Sequence, residues 1–99
     1  MSNYVVAFRG QPERKPAAGE DEAWGAWFAS LGAAVIDPGH RVARVRALDG
    51  QGAGEAGNMV LTGYVVIQAQ DWDTATELAR GCPGLAAGVS VEVGETVDL

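Results

Sequence analysis

The chain has one cysteine, one histidine and no long apolar run, and each shortage argues against a class of function. Cys82 alone cannot form a disulfide within the chain, so we expect a reducing compartment. One histidine and one distant cysteine do not make a zinc site, so no metal is expected. No segment reaches the roughly 18 apolar residues of a membrane helix and no secretory leader is apparent, so we expect a cytoplasmic protein.

Basic residues are also scarce, with seven Lys and Arg against 13 Asp and Glu and a net charge of −6. Nucleic acids and anionic membranes are bound by Lys/Arg surfaces that displace counterions, so neither is an expected partner. Arg41, Arg44 and Arg46 do cluster, but they alternate along a predicted strand, which favours a solvated strand face.

The chain length of 99 residues and the hydrophobic content of 47% fit one domain, which we place at residues 1–99. A chain of this size buries only about two-thirds of the surface that its unfolded form exposes. Pairing with a second copy would bury more, so oligomerisation is expected.

Hydrophobic periodicity predicts four strands and two helices. Apolar residues alternate in the strand segments and recur at helical spacing in the helices. The predicted buried stripe of the second helix consists of Trp72, Ala75, Leu78, Ala79 and Cys82. Asp71 is predicted to cap the second helix, because its carboxylate can accept from free N–H groups of the first turn. The predicted order is strand 3–9, helix 20–31, strand 41–48, strand 62–70, helix 71–81 and strand 89–97. This βαββαβ order predicts an α+β, ferredoxin-like fold with an antiparallel four-stranded sheet.

Residues 49–58 contain four glycines and are predicted to form a hairpin loop. Within them, Gly52, Gly54 and Gly57 match the spacing GxGxxG. A dinucleotide site needs this motif between a strand and the N-terminus of a helix, whereas here a strand follows. No bound cofactor is therefore expected.

Two helices can cover only one face of a four-stranded sheet. The other face also carries apolar side chains, and the same face of a second subunit would cover it with two-fold symmetry. We therefore expect a homodimer.

The C-terminal half carries four short motifs, G-Y-hydrophobic, D-x-D-x-A, A-x-x-C-P and G-x-S-V-E-V. They lie within residues 61–67, 71–75, 79–83 and 87–93. In these motifs the chain resembles the YCII-related family, which also contains the DGPF-domain proteins. The resemblance implies a ferredoxin-like fold, a dimeric α/β barrel and, for most members, an unassigned function.

The chain departs from that family at two points. The resemblance implies a histidine on the first helix that faces an aspartate across a cleft, but this register holds Trp24. An indole cannot transfer a proton at neutral pH, so the family's acid–base pair is not carried over. The Asp-Gly-Pro-Phe motif is also missing, which indicates a divergent branch.

Two residues of a predicted turn are candidates for catalysis. His40 follows Asp37-Pro38-Gly39 and is a candidate general base, oriented by Asp37. The alternative for His40 is an exposed turn residue. The alternative for Asp37 is turn chemistry, because Asp before Pro-Gly favours a tight bend.

Three further residues are candidates for substrate binding. Trp24 belongs to an aromatic stripe with Trp27 and Phe28 and is expected to stack on a flat ligand, although core packing is the ordinary role of such a stripe. Arg9 is a candidate for binding an anionic group, and Tyr64 for reaching the same cleft. Their alternatives are a surface role and core packing, respectively.

Two functions remain open. One is a small dimeric enzyme that acts without a cofactor on a small molecule in a cleft beside the first helix. The other is a non-catalytic dimeric module that binds a small molecule or a partner protein. The tryptophan at position 24 favours the second, whereas convergence of Asp37 and His40 would favour the first.

Overall fold

The computed structural model describes residues 1–55 and 57–98, which contain two helices and six strands. Short 3₁₀ turns follow the first helix and precede the last strand. The elements are β1 Ser2–Gly10, α1 Glu20–Leu31, β2 Val35–Asp37, β3 Arg46–Asp49, β4 Gly52–Glu55, β5 Val60–Ala69, α2 Trp72–Arg80 and β6 Ser90–Glu95.

Four of the strands form one antiparallel sheet in the order β2-β5-β1-β6. The central pair runs from Ser2 opposite Ala69 to Gly10 opposite Val60. When these four strands are numbered 1 to 4 in chain order, their order in the sheet is 2-3-1-4. α1 connects β1 to β2, and α2 connects β5 to β6. The predicted α+β, ferredoxin-like fold is thus confirmed.

The two helices cover one face of this sheet. Trp27 on α1 and Ala75 and Ala79 on α2 are buried against alternate residues of β1 and β5. The Trp27 indole Nε1–H donates to the Leu78 carbonyl oxygen at 3.0 Å, which joins the two helices. The buried side of the sheet comprises Tyr4, Val6, Phe8, Val65, Ile67 and Ala69.

α1 begins at Glu20, as predicted, and α2 begins at Trp72, one residue after the predicted start. α1 ends at Gly32, whose φ of 53° suits glycine. Asp71 caps α2, as predicted, by accepting from the Thr74 N–H at 2.8 Å. Trp72 departs from the predicted buried stripe, because it is 50% exposed at the first position of α2, with its ring edge against Tyr4.

The predicted second strand over residues 41–48 is wrong in position. The sheet strand in this place is β2, where Val35 pairs with Ile67 and packs against the core. Further along, Arg41 makes a single bridge to Gly63, and residues 43–49 are exposed. The alternation of arginine with small apolar residues is equally compatible with an exposed hairpin strand, so it could not identify the sheet strand.

The predicted hairpin loop over residues 49–58 is also corrected. β4 lies inside it and pairs antiparallel with β3, which gives a separate two-stranded sheet. The turn is closed by Asp49, whose Oδ1 accepts from the Gln51 and Gly52 N–H groups at 2.7 and 3.1 Å. Ala56 of that predicted loop lies outside the described residues.

Across the described residues, no helix combines the length and the apolar character needed to cross a membrane.

Candidate functional site

A cleft of about 500 Å³ opens beside the N-terminal half of α1. Its walls come from the end of β1 and the following turn, from α1, from residues 38–43 and from residues 62–64 of β5. This volume lies within the range of small-molecule sites. With Val89, just before β6, this cleft joins five separate parts of the chain.

Aromatic side chains form one wall. The rings of Phe8 and Trp24 meet edge to face with centroids 5.0 Å apart, and Phe28 lies one helical turn beyond Trp24. Their neighbour Trp27 is buried in the core, whereas Trp24 and Phe28 are only partly buried. The aromatic stripe of α1 is thus divided between the core and the cleft.

A buried carboxylate organises this wall. Glu20 is 7% exposed, and each of its two carboxylate oxygens accepts two hydrogen bonds. Oε1 accepts from Arg14 Nη1 at 2.9 Å and from the Ala17 N–H at 3.1 Å. Oε2 accepts from Arg14 Nη2 at 2.6 Å and from the Trp24 indole at 3.1 Å. These donors, Arg14 first, lower the pKa of the Glu20 carboxyl to about 2.

Local geometry explains why the turn after β1 reaches Glu20. The Ala17 N–H lies three residues before Glu20, so the carboxylate can bond backbone just ahead of the helix. The Arg14 side chain folds back as a planar fork, which matches a carboxylate with two bonds. Glu13, beside it, has a φ of 61°, a strained conformation for a residue with a side chain. The ion pair therefore holds the turn against α1.

The opposite part of the lining is a backbone segment packed on β5. Gly39 has a φ of 70°, and a Cβ there would lie 1.8 Å from the Tyr64 carbonyl oxygen, so only glycine fits. The next residue, His40, accepts the Tyr64 N–H through its carbonyl at 3.3 Å, and its ring centroid lies 6.2 Å from that of Tyr64. Arg41 Nη2 lies 3.4 Å from Asp21 Oδ1 on α1.

Three of the five predicted site residues meet at the cleft. Trp24, His40 and Tyr64 all line it. Their roles in binding or catalysis stay predictions.

The other two predicted residues lie outside the cleft lining. Asp37 Oδ1 accepts the Gly39 N–H at 2.9 Å, which is the turn chemistry that its sequence context also allowed. Arg9 Nε donates to Glu92 Oε1 at 2.6 Å on the exposed surface of β1 and β6. Neither residue belongs to the cleft lining, and a role for either in the cleft stays a prediction.

The Arg14–Glu20 pair was not predicted. The sequence indicates Glu20 only as one of three acidic residues in the first turn of a helix. The spacing of Glu20 and Trp24, four residues apart on one helix face, was the available signal. No periodic pattern connects Arg14 to them, because it lies in an irregular turn.

Other reactive groups lie away from the cleft lining. Cys82 is buried, as predicted, and burial raises the pKa of its thiol. In residues 1–55 and 57–98, no three His, Cys, Asp or Glu side chains come together to form a metal site.

Comparison with models of known protein families gives a match over most of the chain. The family model of the YCII-related domain matches residues 8–96. That range spans both helices, the whole four-stranded sheet except for the start of β1, and every residue of the cleft lining. A search of the curated proteins found no match.

Proposed function

The chain belongs to the YCII-related family, and on that premise we propose that its cleft binds a small organic molecule. The observation that carries the proposal is the aromatic wall, which is bonded to the Glu20 carboxylate. Trp24 is partly buried, its indole donates to Glu20 at 3.1 Å, and its ring lines the cleft. A partly exposed aromatic ring in a concave site is a common feature of ligand pockets.

The proposal can be tested by NMR, because the chain has three tryptophans and hence three indole N–H signals. Adding flat aromatic fragments should shift the Trp24 signal. Trp72 is an internal control, since it is 50% exposed and lies outside the cleft. A shift at Trp72 without one at Trp24 would contradict the proposal.

Catalysis is the second candidate function, and the position of His40 in the cleft lining favours it. Glu20 is unsuited to act as a base, because four donors hold its carboxylate and keep its pKa at about 2. His40 would then carry the proton without an aspartate bonded to it, since Asp37 bonds to Gly39.

This second candidate predicts a split between binding and turnover. On a compound that the protein is found to convert, His40→Gln should lower kcat by roughly 10²–10⁴ and leave the Trp24 signal responsive to the ligand. Asp37→Asn is the matched control and should change kcat much less. Full turnover by the His40→Gln protein would exclude proton transfer by His40.

We also propose the setting in which the cleft works. A second copy of the chain covers the open face of the sheet. The single cysteine fits the reducing cytoplasm, and the net charge of −6 fits a partner other than nucleic acid.

A further inference from the structure

We infer that the cleft selects flat apolar molecules that carry a carboxylate or similar anionic group, bound by Arg41 beside His40. This inference rests on the proposed binding function and adds the chemical class of the ligand. It depends on the shape of the aromatic wall and on which charged groups of the lining are already paired.

The wall favours a flat molecule. Trp24 meets Phe8 edge to face and lies tilted by 34° to Phe28, with centroids 6.5 Å apart. The half-buried rings of Trp24 and Phe28 are therefore available to a planar ligand, which gains contact area by stacking or by edge-to-face contact.

The two arginines of the lining differ in their availability. Arg14 is 26% exposed and donates to both oxygens of Glu20, so binding another anion would break a buried pair. Arg41 is 83% exposed and lies 3.4 Å from Asp21, which is itself 68% exposed. An exposed pair of this length is weak, so Arg41 can exchange Asp21 for an anion on the ligand.

The remaining charges indicate the polarity of the site. Glu20 is neutralised by Arg14, which leaves Glu13 as the acidic group on the turn after β1. Arg41 and His40 are adjacent on one wall, and a guanidinium fork binds a carboxylate with two parallel hydrogen bonds. A ligand with an amine would instead bind near Glu13, and 2-naphthylmethylamine tests that alternative.

Three naphthalene compounds of nearly equal size separate these cases: 2-naphthoate, 2-naphthylmethanol and 2-naphthylmethylamine. Binding is measured by calorimetry and by the Trp24 indole signal at pH 7. We expect 2-naphthoate to bind about tenfold more tightly than the alcohol, as a charge-assisted pair would give. Arg41→Gln should remove most of this preference, and added salt should weaken it.

Arg44→Gln is the matched control, because Arg44 is exposed on the same segment but lies outside the cleft lining. It should retain the preference for 2-naphthoate. Equal binding of acid and alcohol, tighter binding of the amine, or an unchanged preference in Arg41→Gln would overturn the inference while the proposed binding function stands. If none of the three compounds moves the Trp24 signal, both are overturned.

Discussion

At the scale of single residues, Glu20 determines how the fold responds to acid. Its carboxyl has a pKa of about 2 in the folded protein against an ordinary 4.5, mainly because Arg14 donates two hydrogen bonds to it. A carboxyl whose pKa falls on folding stabilises the protein above its unfolded pKa. That stabilisation is lost as the pH falls from about 4.5 through about 2.

Glu20→Gln should therefore lower Tm at pH 7 by about 5 °C, because the partly buried guanidinium of Arg14 loses its counter-ion. The difference in Tm from the wild type should shrink as the pH approaches 2, where about half of the wild-type carboxyl is protonated. Calorimetric unfolding at several pH values measures this. Glu22→Gln, an exposed acid of the same helical turn, is the control and should leave Tm nearly unchanged at every pH. A Tm difference independent of pH would contradict the role given to Glu20.

The same residue shows how far the sequence predicts the site. Helix spacing and a family register predict Trp24, a turn position predicts His40 and a strand position predicts Tyr64, and all three line the cleft. Glu20 and Trp24 share a helix face, so their contact could have been inferred. The partner Arg14 could not, because an irregular turn has no periodicity that fixes where a side chain points.

At the scale of elements, the helices were predictable and the edge of the sheet was not. α1 and α2 each carry an apolar stripe bounded by acidic first turns and a glycine, and these signals act within one element. β2 has three residues, too few to show alternation, and joins the sheet through Val35. The longer alternating run after it pairs with β4 instead. Which of two short strands joins a sheet depends on distant partners, here Ile67, and not on its own pattern.

At the scale of the whole molecule, the helices of the described residues, 1–55 and 57–98, leave one face of the sheet uncovered. Val5 and Ala7 of β1 alternate with the buried residues and pair with Val66 and Tyr64 of β5. These side chains are half-buried. The four strands of the sheet have nine, ten, three and six residues, so at about 3.3 Å per residue and about 4.8 Å between strands the face covers roughly 450 Å², about half of the roughly 800 Å² that each partner of a standard dimer buries.

If a second copy covers this face, light scattering at micromolar concentration should give the mass of a dimer. Val5→Lys places a charge in the middle of the face, opposite Val66 of β5 and Gly94 of β6, and should shift the protein to monomer, because an unpaired charge is costly to bury. Leu85→Lys is the control, since Leu85 is already 47% exposed in the turn before β6, and should remain dimeric. Monomer mass for the wild type would refute the dimer.

The pairing of β3 with β4, apart from the four-stranded sheet, has a consequence for engineering. β1 and β5, the strands that line the cleft, form no backbone pairing with β3 or β4. The tip of β3 and β4, at Gly50 and Gln51, is therefore a suitable point for grafting a fluorescent reporter or a peptide epitope, since the graft interrupts neither the sheet nor the helices.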